Sequence, residues 1–203
     1  MAVKLFDKML ADNPKTNGFV RFLTDDDLKL IRCLINPPAM FDSNKKWNLP
    51  ISQDKAYIFN IVNNIRNGLD VDKLDYIYRD GLRCGMNKYA INMNIVKRII
   101  KSGVVGKEHR EEGTFCCLKY PQSNAGEIKA VFKSKIELFQ NVYHDKKVLA
   151  NDEMFKKALK LAGPHLKFRT KAGLQISLEK CHEDLNAYIQ LTDDLLYEKV
   201  INA

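Results

Sequence analysis

The sequence predicts a mainly α protein with one small two-stranded β element. Three observations carry that reading. Apolar residues recur at three- and four-residue spacing through most of the chain. Capping residues, glycines and prolines mark where those periodic stretches begin and stop. Only two short runs carry the composition of strands.

Taken in order, Val3–Ala11 places Leu5, Phe6, Met9 and Leu10 at helical spacing. Thr24 followed by Asp25–Asp27 is an N-cap with an acidic first turn. The helix it opens carries Leu28, Ile31 and Leu34–Ile35, and Pro37–Pro38 stops it. Residues 39–54, with Trp47 and Pro50, read as an irregular connector. Ala56–Arg66 is amphipathic and leads through Asn67–Gly68 into a helix from Val71 to Gly81. Asn92–Lys101 is a further helix, ended by Ser102–Gly103. Thr114–Tyr120, bounded by Gly113 and Pro121, is the best strand, and Leu174–Ser177 is expected to pair with it. Between them, Gly126 to about Leu161 reads as one long helix with Pro164 beyond its end. Two helices close the chain, the last one starting after Thr192. With no repeat, low-complexity tract or linker, residues 1–203 read as a single domain.

Composition bounds the function. Apolar residues make up 45% and charged residues 29% of 203, ordinary globular proportions that argue against disorder. No apolar run approaches the ~18–20 residues of a membrane span. The opening MAVKLFDKML is charged where a signal peptide needs an apolar core. A soluble intracellular protein, nuclear or cytoplasmic, with no membrane partner is expected. Five cysteines form no CxxC pair and leave one over, which suits reduced thiols. The net charge is +8, and residues 156–171 hold six Lys/Arg with no acid. Such a surface is either a solvated basic face or an attractor of phosphates, on nucleotides or on single-stranded nucleic acid.

The most distinctive stretch is NGLDVDKLDYIYRDG, residues 67–81. Val71, Leu74 and Ile77 mark its core-facing stripe, which puts Asp72, Tyr76 and Asp80 in one row at i, i+4 and i+8. Asp75 and Arg79 form a separate i, i+4 ion pair. A row of carboxylate, phenol and carboxylate suits a wall holding a cation or a hydroxylated ligand; a solvated helix face is the alternative. The histidines offer less. His144–Asp145 is a His-Asp dipeptide, but neighbouring residues on a helix point about 100° apart. His109 sits in a charged stretch read as a loop, and His182 has no second His at i+4.

The segment NIRNGLDVDKLDYIYRDGLRCGM resembles the part of the sterile-alpha-motif and HD-domain dNTP triphosphohydrolases that carries the last aspartate of an H…HD…D metal set. FLTDDDLKLIRCLINPP is similar to that family's acidic-capped helix, AVFKSKIELFQNVYHDKK to its pocket-crossing helix, and LQISLEKCHEDLNAYIQLTDDLLYEKV to the strand and helices that follow. The resemblance implies an HD-domain-like helical core, here incomplete. It implies a metal-ligand role for Asp72 and phosphate contacts for Lys73. It implies contacts to the sugar and phosphate end for Tyr76 and Asp80, and a place on the base and sugar side for Tyr143. Lys135 stands where the family has a phosphate-contacting Arg, and Phe139 where it has a pocket His. Lys119 matches a basic position of the regulatory nucleotide site, whereas Asn94 replaces another Arg there.

The family's first His and its His-Asp pair lie upstream of the matched region, and residues 1–66 contain no histidine. The expectation is therefore a truncated relative or fragment, inactive alone and with no cofactor of its own, of enzymes that use Fe, Mn, Zn or Mg. The family reaction converts a dNTP into deoxynucleoside and triphosphate. Expected partners are dNTP or GTP bound weakly, a second copy, or a full-length relative. A non-catalytic nucleotide-binding or partner-regulating paralogue, or a single-stranded nucleic-acid binder, are the other readings.

Overall fold

Short polar side chains decide where most helices begin. In the computed structural model, which describes residues 1–12, 18, 20–86 and 91–201, helix α1 is Ala2–Asp12 and α2 is Asp25–Ile35. Thr24 closes a capping box on α2: its hydroxyl accepts from the Asp27 N–H at 3.2 Å, and the Asp27 carboxylate accepts from the Thr24 N–H at 2.8 Å. Then follow α3 (Tyr57–Val62), α4 (Val71–Arg83) and α5 (Met93–Ser102). Strands β1 (Val104–Arg110) and β2 (Gly113–Lys119) form an antiparallel hairpin across Glu111–Glu112. Next come α6 (Ala125–Leu138), a π-helical turn Phe139–Tyr143, and α7 (Lys146–Ala162). A second antiparallel hairpin, β3 (Lys167–Arg169) with β4 (Gln175–Ser177), precedes α8 (Leu185–Tyr188) and α9 (Asp193–Ile201).

The fold is mainly α, and the sequence reading departs from it in three places. Two hairpins replace the single strand pair. Thr114–Tyr120 pairs with its own upstream neighbour and Leu174–Ser177 with residues 167–169, because each strand has a close partner across a short turn. His109 consequently lies on β1, its ring Nδ1 2.8 Å from the Thr114 hydroxyl, and not in a loop. The long helix expected over 126–161 is two helices. Asp145 is the N-cap of the second and accepts from the Lys147 N–H at 2.9 Å. The helix expected over 56–66 ends at Val62, since Asn64 takes a competing role. Its side chain bonds the Leu69 carbonyl at 3.0 Å and the Asn67 side chain at 2.6 Å.

Chain contacts divide the molecule into two compact units. One gathers Val3–Asp12 with His144–Ala203, and the other runs over Asn13–Tyr143. In the first, Ala162, Leu166, Phe168, Cys181 and Ala187 form the core, and Lys8 of α1 bonds Asn186 and Asp12. In the second, α4, α5 and α6 meet through Leu74, Ile77, Val96, Ile99, Val131 and Leu138. A second cluster there joins Ala56, Phe115 and Cys117 to Met40, Phe41 and Trp47. Among the described residues no helix is long and apolar enough to cross a membrane.

The β1–β2 hairpin is fastened to the α3–α4 connector by one buried ring and three charges. Arg66 and Arg110 place their guanidiniums 5.5 and 5.3 Å from the Phe115 ring centroid, and both donate to the Glu108 carboxylate. Burial pushes the Glu108 carboxyl up, but the Arg110 and Arg66 hydrogen bonds outweigh it and hold it down at about 2, against an ordinary 4.5. A depressed carboxyl contributes stability that is present above its unfolded value and lost as pH falls through its folded one. Between about pH 4.5 and 2 the wild-type urea midpoint is therefore expected to fall more steeply than that of Glu108→Gln. At neutral pH that variant is expected to be less stable by about 1 kcal/mol. Ile77, with no exposed surface, sets a larger scale. Ile77→Ala is expected to cost about 3 kcal/mol by the same measurement.

Candidate functional site

Helix α4 builds the candidate site. Its N-cap Asp70 accepts from the Lys73 N–H at 3.0 Å and from the Asn64 N–H at 3.1 Å, so the first turn is tied to the preceding loop. Leu74, Ile77 and Gly81 are buried on one side of the helix. The helical period then leaves Asp72, Tyr76 and Asp80 in a row beside the core stripe. Asp72 is exposed, while Tyr76 and Asp80 are half-buried.

The second wall comes from α6 and the π turn. Tyr143, at the end of that turn, donates its hydroxyl to Asp80 Oδ2 at 2.6 Å. The bond spans 63 positions of sequence. Burial and then Asp80 push the Tyr143 phenol well above its ordinary value, so it donates as a neutral hydroxyl at any physiological pH. The Tyr76 phenol feels charges of both signs. Burial pushes it up, Lys135 of α6 pulls it down, and Asp72, Asp70 and Asp80 push it up again. The Lys73 ammonium lies 5.7 Å from the Tyr76 ring centroid. Arg79 pairs with Asp75, as its spacing predicts, and its Nε also reaches Asp80 Oδ1 at 3.4 Å. The structure thus brings Asp72, Lys73, Tyr76, Asp80, Lys135 and Tyr143 into one neighbourhood.

Two residues of the sequence reading lie elsewhere. Lys119, at the end of β2, is exposed and donates to the Lys107 carbonyl at 2.6 Å. Asn94 is exposed in the first turn of α5. Phe139 is 48% exposed and lines an open groove of about 350 Å³ with Phe132, Lys135, Ile136 and Gln140. The Tyr143–Asp80 bond itself has no signal in the spacing of the sequence. Asp145, read as half of a His-Asp dipeptide, could have been recognised as a cap from the helical run after it.

A catalytic metal is implied by the resemblance, and the donor set tests it. Transition metals need several converging N, O or S ligands. Among the described residues no three His, Cys, Asp or Glu side chains come together, and Asp72 stands alone on the exposed side of the row. The residues present do not fit such an ion. The wall itself offers hydrogen-bonding carboxylate and phenol groups, aromatic faces and ammonium charge.

Fold and wall together define a mainly helical protein with a carboxylate-, phenol- and lysine-bearing face on one helix pair. No protein-family model matches the chain. The deoxynucleoside triphosphate triphosphohydrolase SAMHD1 of Xenopus laevis is 26% identical over 212 residues, covering 97% of this chain and 32% of that protein. The Mus musculus protein of the same name is 28% identical over 215 residues, covering 97% and 31%. A protein of Acanthamoeba polyphaga mimivirus named as HD domain-containing, L394, is 25% identical over 183 residues, covering 88% and 32%. Over most of its length the chain is thus similar to proteins named as dNTP triphosphohydrolases and to one named for an HD domain. It spans about a third of the length of these relatives.

If Asp72 stands alone, its removal should change nothing that a metal would report. Elemental analysis of the purified chain is expected to give well under one transition metal per molecule, the same for wild type and Asp72→Ala. Near-stoichiometric metal lost in that variant would contradict the reading.

Proposed function

We propose that this chain forms one wall of a nucleotide site in a dNTP triphosphohydrolase relative, and that it binds nucleotide without hydrolysing it when alone. The observation that carries the proposal is the meeting of Asp80 with Tyr143, with Tyr76 and Lys135 alongside. Lys73 and Lys135 supply cations for phosphate oxygens. Asp80 supplies an acceptor for a sugar hydroxyl, and the rings of Tyr76 and Tyr143 supply faces for sugar and base. Lys in place of Arg at position 135 keeps the charge but loses the bidentate fork. Lys119 would serve a separate regulatory nucleotide such as GTP.

Hydrolysis needs an activated water and stabilisation of developing charge, each worth orders of magnitude in rate. A lone Asp72 supplies neither. Completion of the site by a second copy or by a full-length relative belongs to the same proposal, and the open groove beside Phe139 gives such a partner an apolar surface. So does a nuclear or cytoplasmic location.

The test is an NMR titration with dGTP. An affinity of about 0.1–1 mM is expected, with resonances of Lys73, Tyr76, Asp80 and Tyr143 shifting. Asp80→Ala and Lys73→Ala should each weaken it several-fold, and no triphosphate should be released. Saturation that moved none of these resonances would overturn the assignment. A response falling steeply with salt would favour single-stranded nucleic acid on the basic surface instead.

A further inference from the structure

We propose that the Tyr143–Asp80 hydrogen bond is a latch on this wall: an incoming ligand seats only by replacing the Tyr143 hydroxyl as the donor to Asp80. The inference rests on the nucleotide reading above and adds to it how access to the site is regulated.

Three observations converge. Both carboxylate oxygens of Asp80 are already engaged, Oδ2 by the Tyr143 hydroxyl at 2.6 Å and Oδ1 by Arg79 Nε at 3.4 Å. The first contact has the length of a charge-assisted O–H···O⁻ bond, the stronger class. The acceptor expected to hold a sugar hydroxyl is therefore satisfied from within the chain. Second, the Asp80 side chain is 27% exposed, so an external donor can reach it without unpacking the core. Third, Tyr143 closes the π-helical turn Phe139–Tyr143. A π turn is a rare, wide insertion in a helix and recurs at functional sites. Here it lies between the last turn of α6 and His144, where the chain passes into the other compact unit. Release of the Tyr143 hydroxyl frees the end of that turn, while the buried Val131 and Leu138 keep α6 in place.

The energetic consequence is definite in sign. A site whose competent form is only a fraction of the population binds with its intrinsic affinity reduced by that fraction. Removing the competing donor raises that fraction. The ring of Tyr143, which lines the site, is kept by a Phe substitution, so the hydroxyl alone is tested.

The experiment compares wild type with Tyr143→Phe in NMR titrations with dGTP in metal-free buffer, and in amide hydrogen exchange over residues 139–145. Tyr143→Phe is expected to bind about 3- to 10-fold more tightly, the value of one internal hydrogen bond removed, and its amides over 139–145 are expected to exchange faster. Equal or weaker binding by Tyr143→Phe would overturn the latch. If neither protein binds dGTP, the nucleotide reading fails, and the latch is judged by exchange alone. Faster exchange in Tyr143→Phe would then support it, and unchanged exchange would sink it.

Discussion

The burial of Leu74 and Ile77 against α5 and α6 is the constraint on which the candidate site depends. Once those two side chains are committed to the core, the rotation of α4 about its axis is fixed, and every other residue on the helix has an assigned direction. Asp72, Tyr76 and Asp80 then form a line at the edge of the buried stripe. The same core residues hold Val131 and Leu138 of α6, the helix that bears Lys135, whose charge reaches Tyr76, and that leads on to Tyr143. A cavity at position 77 would loosen both helices at once, so loss of packing and loss of the wall are coupled.

Side-chain amides and carboxylates organise the backbone around this core. Asp70, Asn92, Asp145 and Asp184 each cap the helix that follows. Asn60, buried on α3, accepts from the Leu118 N–H at 3.0 Å and so ties that helix to β2. Among the described residues no buried side-chain nitrogen or oxygen lacks a partner. These residues are polar by type yet structural in role, which is why polarity alone is a poor guide to function in this chain.

Much of the helical order was legible in the sequence because caps and apolar periodicity are local signals. Thr24, Asn92 and the Leu74–Ile77 spacing each needed only a window of a few residues. The strand β1 was not legible. The stretch GKEHREEG around His109 reads as a charged loop, because two of the contacts that hold it as a strand are distant: Arg66 on Glu108 from another segment, and the Phe115 ring under Arg110 from across the hairpin. The row on α4 could be read as a row, but spacing left it undecided between ligand wall and wet surface. The family resemblance supplied Lys135 and Tyr143, and only the folded chain joined Tyr143 to Asp80. Contacts across dozens of positions leave no periodic trace.

Trp47 is the single tryptophan of the chain. It meets Phe41 edge-on at 5.3 Å, stands 6.3 Å from Phe115, and donates its indole N–H to the Ile51 carbonyl at 2.5 Å. All of these belong to the unit spanning Asn13–Tyr143. Intrinsic fluorescence excited at the red edge, where tyrosine does not absorb, is therefore a local reporter. It follows melting around the β1–β2 hairpin and is blind to events among Phe168, Cys181 and Ala187. A melting curve from that signal alone would look like a single clean transition even if the two units came apart at different temperatures. Superposition on the far-ultraviolet dichroism curve is what would establish whether they melt as one.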